Sequence, residues 1–232
     1  MKIPRLKFIN SLFVVNIILL NMLSLTVWSG IFVDNFNDKK ADDWKQVGIK
    51  WKFKDGGYHG INPDGVEGAA LIGDPKWGPD YSIEVKVRNA KGVWLGIHLR
   101  WLDTDHHYDW WIDMNNKKAC LYIKKGAYTQ KTIDDIPLDI NKEFTIKLAI
   151  EGFVLSGYFN DKLVNKWQDE EQSFKTGVIG LDVWEAEATF DDIVIEGKNV
   201  PGNLAVNSQK KLALTWGRIR SDFTIDFKDK EV

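Results

Sequence analysis

From residue 31 onward, apolar and polar residues alternate with a period of two in short runs broken by Gly, Asn and Asp. This pattern predicts strands with one wet face, and no stretch carries the spacing of a long amphipathic helix. Trp51 and Phe53 alternate with Lys50, Lys52 and Lys54; Tyr81, Ile83, Val85 and Val87 face one way while Ser82, Glu84, Lys86 and Arg88 face the other. Phe144, Ile146, Leu148 and Ile150 repeat the alternation against Thr145 and Lys147, and Ile179, Leu181 and Val183 precede a last strand from Phe190 to Ile195. Turns are predicted at Asp55-Gly56-Gly57, Lys125-Gly126 and Asn160-Asp161, the last closing a hairpin between Phe153 to Phe159 and Leu163 to Trp167. Many short antiparallel strands over about 165 residues predict an all-β fold, a two-sheet antiparallel sandwich or jelly roll.

The first 29 residues break this pattern. Lys2, Arg5 and Lys7 precede an apolar run, and Val27 and Ser29 are small enough to flank a cleavage point, so residues 1–29 read as a signal peptide. Phe8 to Trp28 could alternatively be retained as a membrane anchor, although Asn10, Asn16 and Asn21 weaken that reading. Either way the rest of the chain is sent to an extracytoplasmic site: periplasm, cell surface or medium. A membrane partner is expected only if the segment is retained. Cys120 is the one cysteine and no Asn-x-Ser/Thr sequon occurs, so neither a disulfide framework nor the glycosylation of a eukaryotic secreted domain is expected. A bacterial source fits. With 31 basic against 33 acidic residues, the chain has no basic excess for nucleic acid. Pro201-Gly202-Asn203 reads as a linker, which divides the chain into 1–29, a domain over 31–197, and a linker and tail over 198–232 of unassigned role.

Asp34-Asn35-Phe36 with Trp44 behind it, Trp51 to Tyr58, and Asp80-Tyr81 opening an alternating strand together resemble the concanavalin A-like lectin/glucanase jelly roll. Gly96 to Arg100 followed by Tyr108, and Gly177 to Leu181 leading to Phe190-Asp191-Asp192-Ile193, resemble the laminin G-like and 3-keto-disaccharide hydrolase-type domains. The resemblance covers roughly residues 31 to 197 and implies two curved sheets, the concave one carrying any glycan site. It also implies a structural Ca²⁺ where the first and last strands meet, for which Asp34, Asp38, Asp191 and Asp192 are the available oxygen ligands.

Side-chain parity supplies a site of its own. In Gly92 to Trp101, the residues Val93, Leu95, Ile97, Leu99 and Trp101 share the core side, leaving Trp94, Gly96, His98 and Arg100 on the other face. In the next strand Tyr108, Trp110, Ile112 and Met114 are core, leaving His107, Asp109, Trp111 and Asp113. Trp94, His98, Arg100, His107, Asp109, Trp111 and Asp113 then form one surface, with aromatic rings to stack on sugars and charged groups to bond hydroxyls. The competing reading is that the two tryptophans are covered and the charges only solvate a sheet. The leading function is therefore glycan binding, with 3-keto-disaccharide hydrolysis as the alternative and a laminin G-like adhesive module third.

For hydrolysis, Asp109 would be the base, with His98 and Arg100 as acid or oxyanion partners. Ordinary glycosidase chemistry fits poorly. It needs carboxyls about 5 to 9.5 Å apart, whereas Asp109 and Asp113 on one strand should sit about 13 Å apart. Glu185-Ala186-Glu187 to Asp191 also departs from the Glu-x-Asp-x-x-Glu strand of family sixteen hydrolases. Asp105, His106, His107 and Asp109 make a poor metal site, because adjacent strand histidines point opposite ways. Phosphate loops and a Gly-x-Ser-x-Gly elbow are absent. Cys120 lies at the parity opposite Leu121 and Ile123 and reads as an inert thiol.

Overall fold

The computed structural model describes residues 30–202; the expected signal segment and the tail from 203 onward lie outside the described residues. Thirteen strands follow in order: β1 (Gly30–Asp34), β2 (Lys45–Val47), β3 (Lys50–Lys54), β4 (Gly57–Asn62), β5 (Ala69–Ile72), β6 (Tyr81–Asp103) and β7 (His106–Asp113). Then come β8 (Lys118–Lys125), β9 (Ala127–Asp135), β10 (Phe144–Glu151), β11 (Val154–Phe159), β12 (Lys162–Gln168) and β13 (Val178–Gly197), with a single 3-10 turn at Pro75–Trp77 before β6. The all-β sandwich expected from the period-two pattern is what forms.

β6 and β13 are long, antiparallel to each other, and shared by both layers. One layer runs β12-β11-β10, the first half of β6, the end of β13 and β1. The other runs β9-β8-β7, the second half of β6 and the start of β13, with β4, β5, β3 and β2 beyond. Sharing is possible because each long strand is bulged where the pairing shifts, β6 between Arg88 and Lys91 and β13 between Asp191 and Val194. The switch at Asp192 (φ 47°) is also why Phe190 and Ile193, three apart, both point inward.

The core lies between the layers. Ile83, Val85, Val87, Ile146, Leu148 and Ile150 are fully buried, as the alternation predicts, and each fully buried aliphatic side chain contributes about 1.5–3 kcal/mol. Trp110 crosses the core from β7, its indole N–H donating to Asn165 Oδ1 on β12 at 2.6 Å. Gly157 on β11 makes the room: a Cβ there would lie 2.5 Å from indole Cε2. Phe36, Trp44, Trp51 and Tyr58 pack as one aromatic cluster with centroids 5.0–6.2 Å apart. The Asp34-to-Tyr58 motif that carries the family resemblance is thus a packing motif.

The hairpins close as expected. Asp55 and Gly56, and Asn160 and Asp161, have positive φ at both central positions, the type I′ geometry whose twist matches that of the strands. Residues 198–200 do not open directly into a linker: they turn back, and Val200 is buried against the core.

One strand expectation is corrected. Arg100 takes φ 50° and β6 gains an extra residue there, since His98 pairs with Gly180 while Trp101 pairs with Val178. A bulge shifts side-chain parity by one. Arg100 therefore turns inward and Trp101 outward, the reverse of strict alternation.

Candidate functional site: an aromatic cleft over a buried polar floor

On the layer built from β13, β6, β7, β8 and β9, the face turned away from the core carries side chains in register. Trp184 pairs with Trp94, and Asp182 with Gly96, which pairs with Trp111. Next along, Gly180 pairs with His98, His98 with Asp109, and Asp109 with Tyr122. His107, Lys124 and Tyr128 make the following row. Two glycines set the relief. A Cβ on Gly96 would come 3.1 Å from the Trp111 ring, and one on Gly180 would come 2.9 Å from His98, so both large side chains lie down over a glycine.

Trp94, Trp111, Trp184, Tyr122 and Tyr128 line a cleft of about 240 Å³. Trp94 meets Trp111 edge to face at 6.4 Å, and Tyr122 meets Tyr128 in the same way at 6.1 Å. Trp94, Trp184 and Tyr122 are half-buried and Tyr128 is exposed, while Trp111 is 6% exposed and forms an inner wall. Tyr128 is held from below by the Lys124 ammonium, 4.4 Å from its ring centroid, and Lys124 itself pairs with Glu67 at 2.5 Å.

Beneath the rings lies a polar layer with no exposure to solvent. Asp109 Oδ1 accepts a short hydrogen bond from His98 Nδ1, and His98 Nε2 reaches Asp182 Oδ2 at 3.1 Å. Burial opposes charge on His98, but the Asp109 and Asp182 carboxylates outweigh it and push its pKa up. Asp182 is itself pushed up by burial, against the lowering effect of His98. His107 Nδ1 donates to the Asp103 carbonyl at 3.0 Å, and burial drives its pKa down to about 4. Trp101 covers the far side of this layer, lying on His107 and against His98.

Most of the expected site is therefore on one face, but its members do different jobs. Trp94 and Trp111 line the cleft. His98, His107 and Asp109 are on the expected face yet enclosed, each at most 1% exposed. Asp113 is a turn cap: its carboxylate accepts from the backbone N–H groups of Asn115 and Asn116 and from the Asn116 side-chain amide. Arg100 is absent from this face. Its guanidinium donates to the carbonyls of Phe174, Pro79 and Gly152 at 2.5–2.7 Å, and burial lowers its pKa. The set Asp109, His98 and Arg100 is consequently not assembled as a catalytic group.

The four aspartates expected to hold Ca²⁺ have other partners. Asp34 accepts from the indole N–H of Trp44 at 2.9 Å and from the Phe36 N–H, and Asp38 from the Lys40 N–H. Asp191 pairs with Arg88 at 2.9 Å and Asp192 with Lys86 at 2.8 Å. Cys120 is buried, its thiol pushed up to about 11, first by burial.

Trp184, Tyr122, Tyr128, Asp182, Lys124 and Glu67 were not singled out from sequence. The parity signal existed for four of them: Tyr122 and Lys124 alternate with Leu121 and Ile123, and Asp182 and Trp184 with Leu181 and Val183.

Architecture and site together define a concanavalin A-like jelly-roll domain with an aromatic cleft on its outer face. No family model matches the chain. The carbohydrate-binding module CBM66 from Bacillus subtilis superposes with a TM-score of 0.59 at 24% identity, over 67% of this chain and 96% of that one. A β-glucanase from Bacillus licheniformis superposes with a TM-score of 0.55 at 13% identity, over 72% of this chain and 98% of its own. In sequence, the levanase of Bacillus subtilis (strain 168) is 25% identical over 158 residues, a match covering 66% of this chain and 22% of the levanase. The chain thus matches about a fifth of that relative's length.

Proposed function

We propose that this protein is an exported carbohydrate-binding domain, and that the cleft formed by Trp94, Trp111, Trp184, Tyr122 and Tyr128 is where the sugar sits. The observation that carries the reading is the convergence of five aromatic rings from five neighbouring strands of one layer on a face the core does not use. Flat rings stack on the apolar faces of sugar rings, and the hydroxyls of Tyr122 and Tyr128 with the Glu67 carboxylate supply hydrogen bonds at the rim. The cleft is smaller than the roughly 300–1000 Å³ of pockets for drug-sized ligands, which suits one or two sugar units.

The likeness to a carbohydrate-binding module and to part of a levanase supports this reading and makes levan the first probe. It also supports an extracytoplasmic location, which the signal peptide expected over residues 1–29 would require. Glycoside hydrolases share the fold. Binding and turnover are therefore measured together: titration of levan, inulin and β-glucans by calorimetry, with product analysis on the same mixtures and on 3-keto-disaccharides. Saturable binding without product supports a binding domain, and release of sugars from any of these substrates overturns it. The structural Ca²⁺ belongs to the proposal only through the family resemblance. It would have to displace Lys86 and Arg88, and a melting temperature raised by millimolar Ca²⁺ after EDTA treatment would support it.

A further inference from the structure

The polar layer under the cleft has an internal inconsistency as a purely hydrogen-bonded cluster. His107 Nδ1 faces the Asp103 carbonyl, which can only accept, so this nitrogen carries the hydrogen. The other nitrogen, Nε2, lies 3.3 Å from Asp109 Oδ1 without the geometry of a hydrogen bond. Nε2 of His107 and Oδ2 of Asp109 are both buried without a hydrogen-bond partner. Polar atoms orphaned in a dry layer are costly unless a positive charge is held among them.

The ligand set for such a charge is in place. One nitrogen of His98, one of His107 and one oxygen of Asp109 lie within 4.8 Å of one another, the only grouping of its kind among the described residues. The remaining nitrogen of each histidine is already tied: His98 Nε2 to the Asp182 carboxylate and His107 Nδ1 to a backbone carbonyl. Holding the outer ring nitrogen on a carboxylate or carbonyl is how proteins orient histidines that ligate metals. The rings of Trp101, Trp111 and Tyr128 pack around both histidines and shield the layer from water.

We propose that His98 Nδ1, His107 Nε2 and Asp109 bind one divalent transition-metal ion of the zinc class beneath the aromatic cleft. Two imidazoles and one carboxylate suit Zn²⁺ and leave a fourth position for the second Asp109 oxygen or a water. Binding releases the proton on His98 Nδ1 to solvent, with the ion taking its place between that nitrogen and Asp109. Strand alternation puts the three residues on one face, but only the pairing of β6 with β7 brings them within ligand distance, and the adjacent pair His106-His107 does not reveal the set. The ion ties β6 to β7 under the rings and fixes the floor on which Trp111 rests. This inference stands on the buried cluster and is independent of the sugar reading above.

The test uses the purified full-length protein, stripped with EDTA and dialysed. One equivalent of Co²⁺ should produce the visible absorption of a tetrahedral site and be displaced by Zn²⁺ but not by Ca²⁺. One equivalent of Zn²⁺ should raise the melting temperature by roughly 5 °C or more. His106→Ala, which removes the exposed neighbour paired with Asp103, should retain the signal, and His107→Ala should lose it. Should His107→Ala fail to fold, X-ray absorption on the wild-type zinc form decides, with two imidazoles at about 2.0 Å expected. The proposal is overturned by an absent one-to-one cobalt signal in the wild type. It is also overturned by a signal that His106→Ala abolishes, or by a zinc shell without two imidazoles.

Discussion

Trp101 lies flat on His107, ring centroids 4.2 Å apart and planes within 16°, although alternation from Leu99 would place the tryptophan in the core. The contact exists because the backbone bulges at Arg100, and the same bulge drives the Arg100 guanidinium to the opposite side. One extra residue thus closes the polar layer with an indole and locks three loop carbonyls onto a buried cation.

Arg100 is for that reason expected to be a stability residue. Arg100→Ala leaves the carbonyls of Phe174, Pro79 and Gly152 without donors and should cost about 3–5 kcal/mol. Arg100→Lys should recover only part of it, because an ammonium cannot reproduce the planar fork. Urea denaturation of both variants measures this; sugar affinity of the folded fraction should stay within about twofold of wild type, a change of about 0.4 kcal/mol or less.

The two cleft tryptophans should separate affinity from stability. Trp94→Ala, at a half-buried position, should weaken sugar binding by roughly tenfold or more with a small stability change. Trp111→Ala should weaken binding similarly and also cost about 2–4 kcal/mol, because that ring is buried against His98 and Trp94. Calorimetric titration paired with thermal melts of the two variants checks the contrast.

Asp169 should govern part of the acid limb of stability. Burial opposes its charge, but donation from the Tyr108 hydroxyl at 2.6 Å and from the Ser173 and Glu171 N–H groups outweighs burial and lowers its pKa. A carboxylate with a depressed folded pKa adds stability that is present above its unfolded value near 3.8 and lost as pH falls through the folded value. Asp169→Asn should therefore destabilise by about 1–3 kcal/mol at neutral pH. The gap from wild type should shrink below pH 3.8 in melts recorded across the acid range.

Cys120 should be silent in the native protein. Its thiol is buried and raised to about 11, so little thiolate forms at neutral pH. A thiol reagent should react with one equivalent only after denaturant is added; rapid native labelling would show that the β8 face opens.

The sequence by itself determined the strands, their hairpins and the core, because a period of two encodes which face of a strand is dry. Tyr81 to Val87, Phe144 to Ile150 and the Asn160-Asp161 turn were legible for that reason. Parity also placed Trp94, His98, Asp109 and Trp111 on one face. It holds only as far as the next bulge, however, and the one at Arg100 sits on a residue with no turn-forming signature, so Arg100 and Trp101 exchanged sides. Only the tertiary structure decided which faces met. Trp184 and Asp182 come from β13, 84 residues in sequence from His98 in the case of Asp182, and Tyr122 and Tyr128 arrive through the β8 and β9 pairing. Local alternation tells each strand which side to bury, but not which strand will lie beside it. That choice depends on long-range pairing along β6 and β13, and it makes five separate rings one cleft and three separate ligands one buried cluster.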